Sequence, residues 1–410
     1  MTTDQYWILG AMLSYMALVV TIGLIYSKRN QRSEDFYLGG RSLGPWVTAM
    51  SAEASDMSSW LLMGLPGLAY LTGFGEAGWT AIGLALGTWL NWRLVSVRLR
   101  HYSHIAGNAF TLPDFFSNRY HDSKKILMSI AALFILVFFT VYTASGFVAS
   151  GRLFNGIFGF DYVTMMLVSA VVIVIYTVIG GFLAESTTDF IQGIVMSFSL
   201  VVILTSATIM AGGIGAVVEN TRIMPGFLEW FSVHDPVNRA AVSFGGLKAT
   251  SALAWGLGYF GMPHVLLRFM AIKNPAALKT SRRIATIWVV IALGSAVLIG
   301  LVGSAVFPGV LKGNESERIF IELARNLVHP IIAGIILSGI LAATMSTSDS
   351  QLLITSSAIS QNFFKGVLKK DATERQVMWV SRLTIILVAI IAAFMAYDPK
   401  SSIFKIVSHA

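Results

Sequence analysis

The chain has 410 residues, 55% of them hydrophobic and only 12% charged, and its mean hydropathy is +0.71. These values exclude an ordinary soluble globule, and apolar stretches recurring from end to end leave no room for a separate soluble domain. The lack of cysteine excludes disulfides, thiolate metal ligands and a cysteine nucleophile, while the net charge of +8 admits nucleic acid or anionic lipid as partners until the basic residues are placed.

The first apolar run, residues 6–26, is too long for a signal-peptide core, follows no basic leader and lacks a clear cleavage site, so a retained helix is expected. Ten membrane spans are expected in all, at roughly 6–27, 45–71, 76–98, 125–151, 162–183, 189–212, 244–268, 284–307, 329–359 and 377–397. An eleventh starts near Ser402 and stops at Ala410, too short to cross a bilayer, which reads as a chain ending inside an element.

Most of the 29 basic residues fall in alternate connections. Lys28, Arg29, Arg32 and Arg41 follow span one; Arg93, Arg98, Arg100, Arg119, Lys124 and Lys125 join spans three and four. Arg268, Lys273, Lys279, Arg282 and Arg283 join seven and eight, and Lys365, Lys369, Lys370, Arg375 and Arg382 join nine and ten. By the positive-inside rule these connections are cytoplasmic and the N-terminus is outside. Topology thus explains the basic excess without nucleic acid.

Span two is polar at its centre. Ser51, Glu53, Ser55, Asp56, Ser58 and Ser59 lie within MSAEASDMSSWLLMG, so polar groups point in nearly every direction around a helix at membrane depth. A mid-membrane carboxylate costs at least ~2.5–3.5 kcal/mol, so Asp56 should face protein, a wet cavity or a cation. Serine and aspartate also compete with the helical ladder, which would let this span unwind and turn carbonyls toward a cavity. The serines alone read as a polar seam between helices; with Asp56 and Glu53 a solute or ion site is the better reading. Span seven, ALAWGLGYFGMPHVLLRF, clusters Gly256, Gly258, Gly261 and Pro263 around Trp255 and Tyr259. Close helix packing explains the glycines equally well, but a second interrupted segment, five spans on and oppositely oriented, matches the signature of inverted repeats with a midplane site.

In span nine, Ala343, Ser346, Thr347 and Ser350 share one helical face. Hydroxyls beside a backbone carbonyl are neutral oxygen ligands suited to a small hard cation such as Na⁺, although serine and threonine in membrane helices more often bond back to the preceding turn. Asp349 adds a second intramembrane acid. Asp189 and Gln192 are placed at the inner end of span six, where Asp189 reads as an acid on the helix dipole. His264 and Glu53 have no partner visible in sequence, and Tyr142 reads equally as a packed aromatic. Enzyme chemistry fits poorly: no HExxH, GxSxG or P-loop is present, and the seven histidines are scattered.

Five stretches in order, YLGGRSLGPWVTAMSAEASDMSSWLLMGLPG, NAFTLPDFF, GGFLAESTTDFIQ, WGLGYFGMPH and ILAATMSTSDSQLL, resemble the sodium/solute symporter family, especially its sodium/proline symporters, from about Asp35 onward. The resemblance implies an all-α polytopic membrane protein of the leucine-transporter type. It would have a leading helix and loop at 1–43, a first five-helix repeat at 44–213 and a second, incomplete repeat at 243–410. It implies Na⁺ as coupling ion, held by the carbonyls of Ala54, Met57 and Ala343 and the hydroxyls of Ser346 and Thr347, with Asp189 nearby. It matches Asp56 and Ser58 to coupled sodium and proline binding, and Trp60, Gly64, Tyr142, Trp255, Tyr259 and Pro263 to the solute pocket; Arg41 matches a basic residue at the cytoplasmic mouth. The implied function is import of L-proline across the cytoplasmic membrane by alternating access, with membrane lipid as surroundings and no organic cofactor or obligate protein partner. The alternatives are another small solute, or a truncated non-transporting fragment or sensor. Glu53, Ser59 and Asp349 depart from the family pattern, and the two acids, Glu53 and Asp349, bear on whether Na⁺ or H⁺ is coupled.

Overall fold

The computed structural model describes residues 1–27, 33–398 and 403–409; Lys28, Arg29 and Arg32 lie outside the described residues. Helices follow one another almost without interruption, and the spans turn large apolar side chains such as Phe134, Val171 and Ile390 outward. On a soluble protein these would be defects; here they form the lipid-facing surface, since hydrocarbon solvates them and the backbone is satisfied within each helix. Six helices are long and apolar enough to cross a membrane among the described residues, the longest being Tyr162–Met210.

That helix has 49 residues, about 74 Å at 1.5 Å per residue and more than twice a hydrocarbon core. It is two spans. Gly181 breaks it with φ +63° and ψ −178°, a conformation open to glycine and strained for other residues. Span six therefore begins at Phe182, not near 189. Asp189 consequently sits about two turns inside the span, which corrects its placement at the span's end and the dipole reading with it.

Span two is the helix Pro45–Ser59, a wide turn over Trp60–Gly64 and the helix Leu65–Thr72. The break expected at its polar centre is at Ser58, whose φ of +50° and ψ of −175° are non-helical. Span seven is likewise split into Gly246–Ala254, a tight turn Trp255–Gly261 and the helix Pro263–Ala271. Pro263 opens the last segment, where a missing N–H costs nothing. Span three, Phe74–Leu94, packs on this turn through glycine. A Cβ on Gly87 would stand 2.6 Å from the Gly256 Cα, and neither backbone can yield. Gly87→Ala is expected to lower the thermal midpoint of the purified protein, at a cost of ~1–3 kcal/mol despite alanine's better helix propensity. An unchanged midpoint would show the interface is looser than described.

Span nine, Pro330–Ser357 continuing in a widened turn to Leu368, is the most enclosed of these six helices, 83% buried over its most apolar stretch against 28% for span one. It is the axis of the bundle. The connection between spans six and seven carries a hairpin, Ser232–Asp235 with Ala240–Ser243, a small exception to the all-α expectation. Asp235 closes its turn by accepting from the Val237 and Asn238 backbone N–H groups. On the opposite face, Glu374 accepts from Lys365 at 2.8 Å and from Ser33. Burial pushes its carboxyl up, but the lysine and the Ser33 donors outweigh it and hold the group down at about 2.

Candidate functional site

Where span two breaks, it meets span nine. The Ser346 hydroxyl donates to the Ala54 carbonyl at 2.8 Å and lies 3.3 Å from the Ala343 carbonyl. Three neutral oxygens from two spans thus converge, the donor set a hard monovalent cation accepts. Thr347 Oγ1, the next hydroxyl on that face, is buried without a hydrogen-bond partner among the described residues. A buried polar atom left unmade is a cost unless something occupies its lone pairs, and an ion among these oxygens would do so. The Met57 carbonyl accepts from the Trp60 N–H within the broken turn.

About one turn before Ala54 in span two and one turn after Ser346 in span nine lies a charged layer. Arg268, 1% exposed, donates to Ser51 at 3.0 Å, to Asp189 at 3.0 Å, to Ser350 at 2.8 Å and to Glu185. Its guanidinium also lies 4.9 Å over the Phe182 ring. Ser51 donates to Asp189 at 2.7 Å, and Ser350 to Glu185 at 2.5 Å. Arg268 was assigned from sequence to a basic loop; instead span seven runs on to Ala271 and the guanidinium is drawn into the bundle by two carboxylates. Asp189 therefore contacts Ser51 and Arg268, one turn from the carbonyl set and not directly within it. Asp349 accepts from the Ser350 N–H at 2.7 Å, is fully buried and does not reach water.

On the other side of the break is a cavity of about 40 Å³, lined by Asp56, Met57, Trp60, Leu84, Tyr142, Trp255, Tyr259, Met262 and Val407. It holds about one water, too little for a larger solute in this conformation. Trp255 packs 5.4 Å from Trp60, and Phe404 packs 6.0 Å from Trp60 and 5.3 Å from Trp255. The Trp60 Nε1–H is buried without a partner among the described residues. Tyr142 donates to the Asp56 carbonyl at 3.1 Å and reaches Ser58 Oγ at 3.3 Å, bracing the break. Five of the eight expected solute residues, Asp56, Trp60, Tyr142, Trp255 and Tyr259, line the cavity. Ser58 sits behind it as the hinge, and Gly64 leaves room for the Trp60 ring. Pro263 lines an adjoining recess of about 350 Å³.

Sequence reasoning gave Glu53 no partner, yet the Trp92 indole N–H, from span three, donates to it at 2.8 Å. Glu185 was passed over, because an acid in a run of small polar residues carries no signal until Arg268 is seen to lie beside it. Arg41 donates to the Met270 and Ala109 carbonyls at 2.7 and 2.8 Å and pins the end of span seven.

Residues 36–410 match the sodium:solute symporter family. The chain belongs to that family. It is 44% identical over 402 residues to the sodium/proline symporter of Escherichia coli (strain K12), covering 97% of this chain and 78% of that one. To the sodium/proline symporter of Staphylococcus aureus it is 40% identical over 412 residues, covering 99% and 78%. Among solved structures, a Na⁺-coupled sialic acid symporter in a substrate-bound outward-open state superposes with a TM-score of 0.81 at 20% identity, covering 97% of this chain and 82% of that one. A nucleobase-cation-symport-1 family transporter in a closed conformation superposes with 0.53 at 14% identity, covering 91% and 76%. The fold is that of the leucine-transporter type, as the family resemblance implied. Members of this family are sodium-coupled transporters rather than enzymes, and the chain is a multi-pass membrane protein with sodium as coupling ion.

Proposed function

We propose that this symporter imports L-proline with Na⁺ across the cytoplasmic membrane of a bacterium, with its N-terminus outside. The names of its 40–44% identical relatives support the solute. So does the chemistry of the cavity: a carboxylate at Asp56 for a secondary ammonium, an unpartnered Trp60 N–H for a carboxylate and aromatic walls for an apolar ring. Basic connections on one face support the orientation. The two broken spans, five apart, support a first repeat at 44–213 and a second at 243–410.

The observation that carries coupling is the Ser346 hydroxyl on the Ala54 carbonyl. A cation bound among Ala54, Met57, Ala343, Ser346 and Thr347 would tie span nine to the broken half of span two, whose next residues face the solute. It would shift the conformational equilibrium by its difference in affinity between the two states. Asp189, one turn away, would serve as an acid on the ion's side of the bundle. Labelled proline uptake into vesicles containing this chain is expected to rise with an inward Na⁺ gradient and not with an equal K⁺ gradient. Unlabelled proline should compete where sugars and acidic amino acids do not. Competition by another solute alone would replace proline in this reading, and no response to Na⁺ would end it.

A further inference from the structure

His264 is the second residue of the helix that resumes span seven after its break. It is fully buried, and neither ring nitrogen has a hydrogen-bond partner among the described residues. Phe139 of span four holds the ring edge-on, centroids 5.6 Å apart and planes at 73°. The acceptor it faces is Asp56 Oδ1, 3.6 Å from Nε2. That oxygen is also buried and unpartnered, while the Asp56 residue lines the solute cavity. Two complementary unsatisfied groups thus face each other about half an ångström beyond hydrogen-bond distance, one on each of the two broken spans. Tyr142 does not compete for the carboxylate, since it donates to the Asp56 backbone carbonyl.

We infer that His264 is a positioning residue for Asp56. On closure of the two broken spans about a bound solute, its Nε2–H bonds Oδ1, fixing the carboxylate and leaving the other oxygen to the solute's ammonium. The inference rests on Asp56 being a solute ligand. An imidazole at this place does what no apolar residue of its size can: it satisfies the buried oxygen without neutralising the carboxylate. The contact also joins the corresponding elements of the two halves, so solute binding and approach of the halves become one event.

Equilibrium binding of labelled proline at saturating Na⁺, with thermal midpoints recorded in parallel, tests this in five proteins: wild type, His264→Leu, His264→Gln, Asp56→Asn and the double variant combining Asp56→Asn with His264→Leu. His264→Leu is expected to weaken binding about tenfold, the loss of one hydrogen bond to a charged group. His264→Gln, which keeps an N–H donor, should recover to within about threefold of wild type. In the Asp56→Asn background His264→Leu should add little, because the interaction it removes is gone. If the Asp56→Asn protein binds too weakly to measure, the comparison of His264→Leu with His264→Gln decides alone. Equal losses for those two variants, or unfolding of both, would make His264 a packing residue and overturn the inference. Unchanged binding in Asp56→Asn would instead remove Asp56 from the solute site, a separate failure.

Discussion

Replacing Arg268 with leucine is expected to leave little folded protein and no uptake. The guanidinium is buried, and its partners Glu185 and Asp189 are 3% and 0% exposed. Removing it strands two carboxylates in the interior, and breaking a buried pair in this way costs ~3–5 kcal/mol. Against a typical stability of ~5–15 kcal/mol, that is enough to depopulate the native state. Arg268→Lys should rescue only in part. An ammonium restores the charge but not the fork that reaches Ser51 on one side and Glu185, Asp189 and Ser350 on the other. Adding Glu185→Gln and Asp189→Asn to Arg268→Leu should return folded protein without returning transport. The measurement is the monodisperse fraction and thermal midpoint in mild detergent. A wild-type midpoint for Arg268→Leu would mean that water, not arginine, solvates the acids.

Thr347→Ala is expected to raise the Na⁺ concentration for half-maximal uptake by about tenfold, equivalent to ~1.4 kcal/mol of lost ion binding, with folding unaffected. The Thr347 hydroxyl makes no hydrogen bond among the described residues, so alanine removes no internal contact through that atom. Thr347→Ser keeps the oxygen and should stay near wild type. Ser346→Ala should raise the requirement at least as much, but it also deletes the bond to Ala54, a net ~0.5–1.5 kcal/mol of stability. Thr347 is therefore the cleaner probe. Flux titrated against Na⁺ at fixed membrane potential separates the outcomes: equal requirements in wild type and Thr347→Ala would remove Thr347 from the ion's coordination, and equal requirements in Ser346→Ala as well would remove span nine.

The break in span two was legible because six polar side chains at membrane depth are incompatible with an uninterrupted lipid-exposed helix. The break in span seven was legible because Gly256, Gly258, Gly261 and Pro263 cannot sustain one. The Ala343, Ser346 and Thr347 face followed from helical spacing. Span six was misplaced because its first two turns carry Glu185, Ser186, Thr187, Thr188 and Asp189, a polar run that reads as a connection, whereas the break itself falls at Gly181 just before it. Arg268 was misassigned for a related reason. Charge near a span's end counts as loop until the acids of another span are seen beside it.

What the sequence by itself determined is therefore local: which segments prefer lipid, where the backbone ladder fails and which hydroxyls share a face, all set by interactions within a turn or two. Tertiary structure decided which of those groups meet. Ser346 on Ala54, Arg268 among Glu185, Asp189 and Ser350, Trp92 on Glu53 and His264 opposite Asp56 each join residues far apart in the chain. In a bilayer a buried charge or hydroxyl cannot fall back on water, so the identity of its partner depends on how the spans pack and on nothing written beside it.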